Sequence, residues 1–150
     1  MLFWSFGSEV ETRPEIDRAI ELGKTIALPR IVDREIQPRS WRPGEPLDAT
    51  AFGAMEPADG RTLDPSEIDV VVTPGVAFDL DGYRIGYGAG FYDRFFTRLG
   101  RRVKKVAVGF EIQVVPDGVP RGSFDLPVDA LVTEDRVVRF GSEVVSPRRT

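Results

Sequence analysis

Residues 68–99 read IDVVVTPGVAFDLDGYRIGYGAGFYDRFFTRL, and this stretch decides the fold. Its first seven residues are a β-branched apolar run ended by proline, the pattern of a buried strand. Leu80-Asp81-Gly82 then forms a polar turn. Further on, Phe91, Phe95 and Leu99 share one face at helical spacing, so 91–99 reads as a helix. Three glycines at alternate positions, Gly86, Gly88 and Gly90, stand between turn and helix. A strand that passes through such a turn into a helix is a unit of an α/β domain.

The flanking sequence continues the pattern. KKVAVGF (104–110) and DALVT (129–133) read as buried strands, and RVVRF (136–140) as a last edge strand. Toward the N-terminus, LFWSF (2–6) reads as a short buried strand. Thr12-Arg13-Pro14-Glu15 is a capping-box pattern with proline in the first turn. Ile16, Ala19 and Ile20 follow at i, i+3, i+4 spacing and Gly23 supplies a stop, which gives a helix over 13–22. KTIALP (24–29) is a buried strand closed by Pro29. Residues 30–67 are rich in proline, glycine and charge and read as short strands and loops, with apolar pieces near Trp41 and Phe52. Together these elements indicate a single α/β domain over 1–145 with a largely parallel sheet, and a frayed tail at 146–150.

Composition narrows the chemistry. The 150 residues carry a net charge of −4, which argues against a nucleic-acid partner, yet a local cluster of arginine and backbone N–H groups can still hold a small anion. The chain has no cysteine and no histidine. Disulfides, thiolate zinc sites, cysteine nucleophiles and histidine-based triads are therefore excluded. No apolar run approaches a membrane span, and residues 1–12 lack the basic lead and apolar core of a signal peptide. The expectation is a cytoplasmic protein with no membrane partner.

The glycine stretch is not a dinucleotide fingerprint, because Phe91 stands where G-x-G-x-x-G requires glycine. No Gly-Lys-Ser/Thr follows, so it is not a Walker loop either. Its backbone can still adopt positive φ, turn its N–H groups inward and form an anion-binding concavity ahead of a helix N-terminus. Arg84 stands at the entrance with a fork suited to phosphate, and Asp93 lies where a carboxylate can hold Mg²⁺ against it. A plain strand–turn–helix connection explains the same residues equally well. Glu9 sits at the carboxyl end of a strand, where ligands bind in open α/β sheets, and Glu11 favours the helix it precedes. Asp125 and Asp129 read as solvated turn residues unless the fold brings them to Asp93.

Taken in order, GSEVET, GKTIALP, FGAMEP, VVTPGVAFDLDGYRIGYGAGFYDRF, VAVGFEIQVVP and FDLPVDALVTED resemble the 5-formyltetrahydrofolate cyclo-ligase family, over about residues 2–135. The resemblance implies a three-layer α/β sandwich whose central sheet is flanked by helices. It also implies an ATP- and Mg²⁺-dependent conversion of 5-formyltetrahydrofolate to 5,10-methenyltetrahydrofolate. Arg84, Ile85, Gly86, Tyr87, Gly88, Ala89, Gly90, Phe91 and Tyr92 would form the ATP loop, with Arg84 and Tyr87 as its catalytic residues. Tyr87 through Phe91, together with Trp4 and Glu9, would contact the folate. Asp93 and Asp125 would be the metal acids, while Glu11 and Asp129 stay structural. Phosphoryl transfer of this kind relies on positioning and charge stabilisation, which a chain without cysteine or histidine can supply.

Three departures accompany the resemblance. Family members usually carry a helix with Lys and Arg ahead of the first strand, and this chain begins after it. Ala89 replaces a lysine of some members and Phe91 a tyrosine of many. Phe124 takes a place often held by histidine beside Asp125. An alternative expectation follows, namely a family member that binds folate or nucleotide without turnover. The chain is expected to be a monomer.

Overall fold

The computed structural model describes residues 1–141; the expected tail at 146–150 and the last part of the domain drawn to 145 lie outside the described residues. The elements in order are α1 (Arg13–Glu21), β1 (Ala27–Val32), β2 (Glu35–Ser40), β3 (Leu47–Ala49), β4 (Met55–Pro57), β5 (Val70–Thr73), β6 (Ala77–Phe78), β7 (Arg84–Ile85), α2 (Phe91–Phe96), β8 (Lys104–Val108), β9 (Ala130–Val132) and β10 (Val137–Arg139). The fold is mixed α/β. Among the described residues, no helix is long and apolar enough to cross a membrane.

One four-stranded sheet has the order β10-β9-β8-β5. Its β5, β8 and β9 run parallel, and β10 pairs antiparallel at the edge. The remaining ladders, β1–β2, β3–β4 and β6–β7, are antiparallel pairs. The sheet structure is therefore mixed rather than largely parallel. The reason lies in 27–57, where the chain turns straight back on itself instead of crossing over. Asp33 and Arg34 both have positive φ, 50° and 66°, the conformation of a tight two-residue hairpin turn.

β1 does not stop at Pro29. It runs to Val32, with Pro29 facing Pro38 across the ladder. Proline is tolerated there because this pair makes no mutual hydrogen bonds: the Pro38 carbonyl points away and accepts the N–H of Leu63 instead. Nor do residues 2–6 form a strand. Met1 O accepts the Val72 N–H, and Leu2 N donates to Ala27 O, so the segment bridges β5 and β1 and then leaves.

α1 matches its expected span, but its cap differs. The Thr12 hydroxyl donates to Phe3 O at 2.7 Å and accepts from Ser5 N, so it ties the helix to the preceding segment instead of capping it. At the other end Gly23 N reaches Ile20 O and Lys24 N reaches Ala19 O, a Schellman closure with Gly23 at φ 76°. Ile16 of α1 packs with Ile26, Leu28 and Trp41 in a small cluster.

The main cluster gathers Val71, Phe78, Phe95, Phe96, Ala107 and Leu131 between the sheet and α2. α2 has only six residues, too few to persist alone. Burial of Phe95 and Phe96, at about 1.5–3 kcal/mol for each large side chain, holds it in place. Residues 97–99 continue with i→i−3 hydrogen bonds, so the expected helix to Leu99 tightens after Phe96. Phe78 sits edge-on between two glycines. A Cβ on Gly75 would lie 2.7 Å from one edge of its ring, and one on Gly109 would lie 2.4 Å from the other.

Candidate functional site

The short β6–β7 hairpin builds the entrance to the site. Asp79 Oδ1 accepts the N–H groups of Asp81 and Tyr83, closing the turn around Gly82 and setting Arg84 at the start of β7. Asp79 Oδ2 accepts from Val119 N and from the Arg121 guanidinium at 3.1 Å, and Arg121 also reaches Asp81 at 2.6 Å. Burial works against the Asp79 charge, but the N–H groups of Tyr83, Val119 and Asp81 and the Arg121 guanidinium outweigh it and hold the carboxyl below the usual range. Asp79 thereby fixes two walls at once, the β6–β7 turn and the 118–121 loop.

Residues 86–90 then cross a cleft of about 470 Å³. Pro74, Pro120, Asp93, Asp125 and the whole run Arg84–Tyr92 line it. Gly88 and Gly90 take positive φ, 95° and 67°, as an inward-turning glycine backbone requires; Gly86 does not. A Cβ at Gly86 or Gly88 would meet nothing within 4 Å, so this backbone faces open space.

Arg84 differs from its expected place. It lines the cleft but does not stand at the entrance, for its side chain is only 4% exposed. Its Nη1 donates to Asp93 Oδ1 at 3.2 Å, and its guanidinium lies 4.9 Å from the Phe96 ring centroid and 5.8 Å from that of Tyr92. The aromatic faces and the carboxylate together offset the cost of burying this charge. Its Nε is buried without a partner.

Asp93 Oδ1 also accepts the Leu126 N–H at 3.1 Å. Asp125, the residue before, is held by a turn in which its Oδ2 accepts Gly122 N at 2.7 Å. The fold thus brings Asp93 and Asp125 to one cleft, which the sequence left open. Asp129 does not join them. Its Oδ2 accepts Lys105 N at 2.8 Å, which locks β8 to the start of β9.

The chemistry of the donor set bears on whether Mg²⁺ fits here. Among the described residues no group of three or more acidic side chains is assembled. Two carboxylates that share a cleft with an open glycine backbone nonetheless match the mode in which Mg²⁺ takes one or two carboxylates, with phosphate oxygens and water completing the shell. One oxygen of Asp93 is already taken by Arg84 and Leu126.

Glu9 and Trp4 do not line the cleft. Glu9 accepts Phe6 N at 3.0 Å; partial burial raises its pKa, against the pull of that N–H. Its charge reaches two cleft aromatics. Burial pushes the Tyr87 and Tyr92 phenols up, and Glu9 adds to both shifts. Trp4 packs edge-on against Trp41 at 5.4 Å, with the Arg13 guanidinium 5.3 Å from its ring centroid. Glu11 is structural, bound to Ser5 and Arg13. Sequence reasoning missed Asp79, Arg121, Pro74 and Pro120. For Asp79 a signal existed, an aspartate two residues ahead of Asp81-Gly82, which is an Asx-turn pattern.

Fold and cleft together define a mixed α/β domain with a glycine-lined cleft of small-molecule size. The 5-formyltetrahydrofolate cyclo-ligase family matches residues 1–134. The 5-formyltetrahydrofolate cyclo-ligase of Escherichia coli K12 is 32% identical over 142 residues, covering 91% of this chain and 78% of that protein. A probable 5-formyltetrahydrofolate cyclo-ligase of Schizosaccharomyces pombe is 29% identical, covering 87% and 72%. The NMR structure of Aquifex aeolicus 5,10-methenyltetrahydrofolate synthetase superposes with a TM-score of 0.80 at 36% identity, covering 99% of this chain and 75% of that one. The chain belongs to the 5-formyltetrahydrofolate cyclo-ligase family and is a ligase of folate metabolism.

Proposed function

We propose that this chain uses ATP, with Mg²⁺, to close 5-formyltetrahydrofolate to 5,10-methenyltetrahydrofolate in the cleft bounded by residues 84–93 and 120–125. The observation that carries this reading is the glycine loop, whose open backbone faces the same cleft as two carboxylates. In this reading the N–H groups of 86–90 cradle the ATP phosphates. Asp93 and Asp125 would hold Mg²⁺, which when bound neutralises charge on the phosphate oxygens. Arg84 serves chiefly to orient Asp93 and to add positive potential behind the loop. Tyr87, exposed on the loop, reaches outward to the transferring group, and Gly88, Ala89, Gly90 and Phe91 line the folate with it. Glu9 and Trp4 take the pterin end.

The formyl oxygen attacks the γ-phosphorus of ATP and ADP departs. N10 then attacks the activated carbon, loses its proton, and phosphate leaves as the ring closes. The protein's share is alignment of the two substrates and exclusion of water. The same reading has helices on both sides of the sheet, and the protein at work as a monomer in the cytoplasm.

A second reading, binding without turnover, has one observation in its favour. Arg84 is the only cation lining the cleft among the described residues, and it is already paired with Asp93. One assay separates the two. Purified protein is mixed with 5-formyltetrahydrofolate and Mg²⁺, with and without ATP, and the near-UV absorbance of the methenyl product is followed. An ATP-dependent rise supports the ligase; a flat trace with intact folate quenching of Trp4 and Trp41 fluorescence supports the binding protein.

A further inference from the structure

The glycine loop is held at its ends by backbone hydrogen bonds. Val76 N donates to Ile85 O at 2.7 Å on one side, and Arg94 N donates to Gly90 O at 3.1 Å on the other. Between them, among the described residues, a single side chain fixes the loop. Arg94 Nη1 donates to the Ala89 carbonyl at 2.6 Å. The fit is close, for a Cβ on Gly90 would come within 3.1 Å of that same nitrogen.

Arg94 is itself anchored on an element remote in sequence. Its Nη2 donates to the Arg34 carbonyl at 2.7 Å, and its Nε lies 3.4 Å from Glu35 Oε1. Its guanidinium also packs 5.4 Å from the Phe91 ring centroid. One planar fork therefore joins the loop, the first residue of α2 and the tip of the β1–β2 hairpin. Arg34 supplies its carbonyl from the second position of the two-residue hairpin turn, whose left-handed backbone fixes where that carbonyl points.

We propose that Arg94 is a positioning residue that preorganises residues 86–90, with the β1–β2 hairpin as its abutment. The inference rests on the reading of that loop as the ATP phosphate site. An open backbone bound at its two ends alone samples many shapes, and ordering it would fall on the ligand. Arg94 orders it beforehand. Lysine cannot replace it, because a point charge on a flexible stem does not span two carbonyls and a carboxylate in one plane.

The test uses the full chain as Arg94→Met, Arg94→Lys and Glu35→Gln, beside Arg101→Met as an exposed control. Backbone ¹⁵N relaxation at residues 86–90 and the KM for ATP are measured, with thermal midpoints as a check on folding. Arg94→Lys is expected to keep the fold, lower the order parameters at 86–90 while leaving those of β5 and β8 unchanged, and raise the KM for ATP about 10-fold. Glu35→Gln, which spares both carbonyl bonds, should show a smaller effect in the same direction. Unchanged order parameters in Arg94→Lys overturn the proposal, as does greater loop motion with an unchanged KM. A wild-type chain without ATP-dependent turnover would count instead against the ATP site, and the relaxation measurement would still decide whether Arg94 holds the loop.

Discussion

Asp93 Oδ1 accepts the backbone N–H of Leu126 at 3.1 Å while it receives the Arg84 guanidinium at 3.2 Å. One oxygen thus ties α2 both to β7 and to the segment that carries Asp125. The carboxylate assembles the cleft as well as furnishing it, so its replacement affects stability and chemistry together.

Asp93→Asn leaves the buried Arg84 charge uncompensated. Breaking such a pair costs about 3–5 kcal/mol, and the partial exposure of Asp93 puts the expected loss at the lower end. Urea denaturation measures it. The double variant Arg84→Met/Asp93→Asn should recover part of this loss, because no charge is then stranded, yet remain inactive. Near-normal turnover in Asp93→Asn would remove Asp93 from the metal site.

Ala89 is exposed on the loop; Arg94 binds its carbonyl, and among the described residues the cleft lining itself holds no cation but the paired Arg84. Ala89→Lys therefore adds a charge where phosphate is expected. A charge-assisted contact contributes about 1.5–3 kcal/mol, so the KM for ATP should fall roughly ten-fold or more. Steady-state kinetics at fixed folate decide it, and an unchanged KM would place the phosphates elsewhere.

The pH dependence of stability should carry the signature of Asp79. Its folded pKa lies below the ordinary value, so its contribution is complete above the unfolded pKa and lost as pH falls through the folded one. Asp79→Asn keeps an acceptor but loses the charge. The gap in unfolding free energy between wild type and variant should be about 1.5–3 kcal/mol at pH 7 and close as pH drops below the usual aspartate range. A gap that persists in acid would assign the effect to packing.

Arg34 holds a φ of 66° at the second position of its turn. Arg34→Gly removes the steric cost of that conformation and keeps the carbonyl that Arg94 uses. The expected result is a gain of about 1 kcal/mol in thermal or urea unfolding, with activity unchanged. A loss would show that the arginine side chain itself supports the hairpin.

Much of the core was legible because it follows simple periods. The run at 70–73, the aromatic face of 91–96 and the Gly23 stop each state their structure locally. The β1–β2 hairpin did not, since Asp33-Arg34 lacks the glycine that usually marks a two-residue turn. Pro29 misled for a related reason, because its harmless place in the ladder depends on facing Pro38. From spacing, the glycine run and Asp93 stood out as candidates, and they line one cleft. That Arg84 turns inward to Asp93, that Asp125 joins the same cleft, and that Arg121 reaches Asp79 across 42 residues are products of packing. Local spacing carries no sign of them; only the family resemblance had set Asp125 with Asp93.

The wedging of Phe78 between Gly75 and Gly109 has a consequence for time rather than shape. With backbone pressed against both edges, the ring cannot turn over until β5 and β8 draw slightly apart at their ends. Its half-rotations therefore count the breathing of the sheet beside the cleft. Separate resonances for its two edges would make this one aromatic a clock for motions of the core.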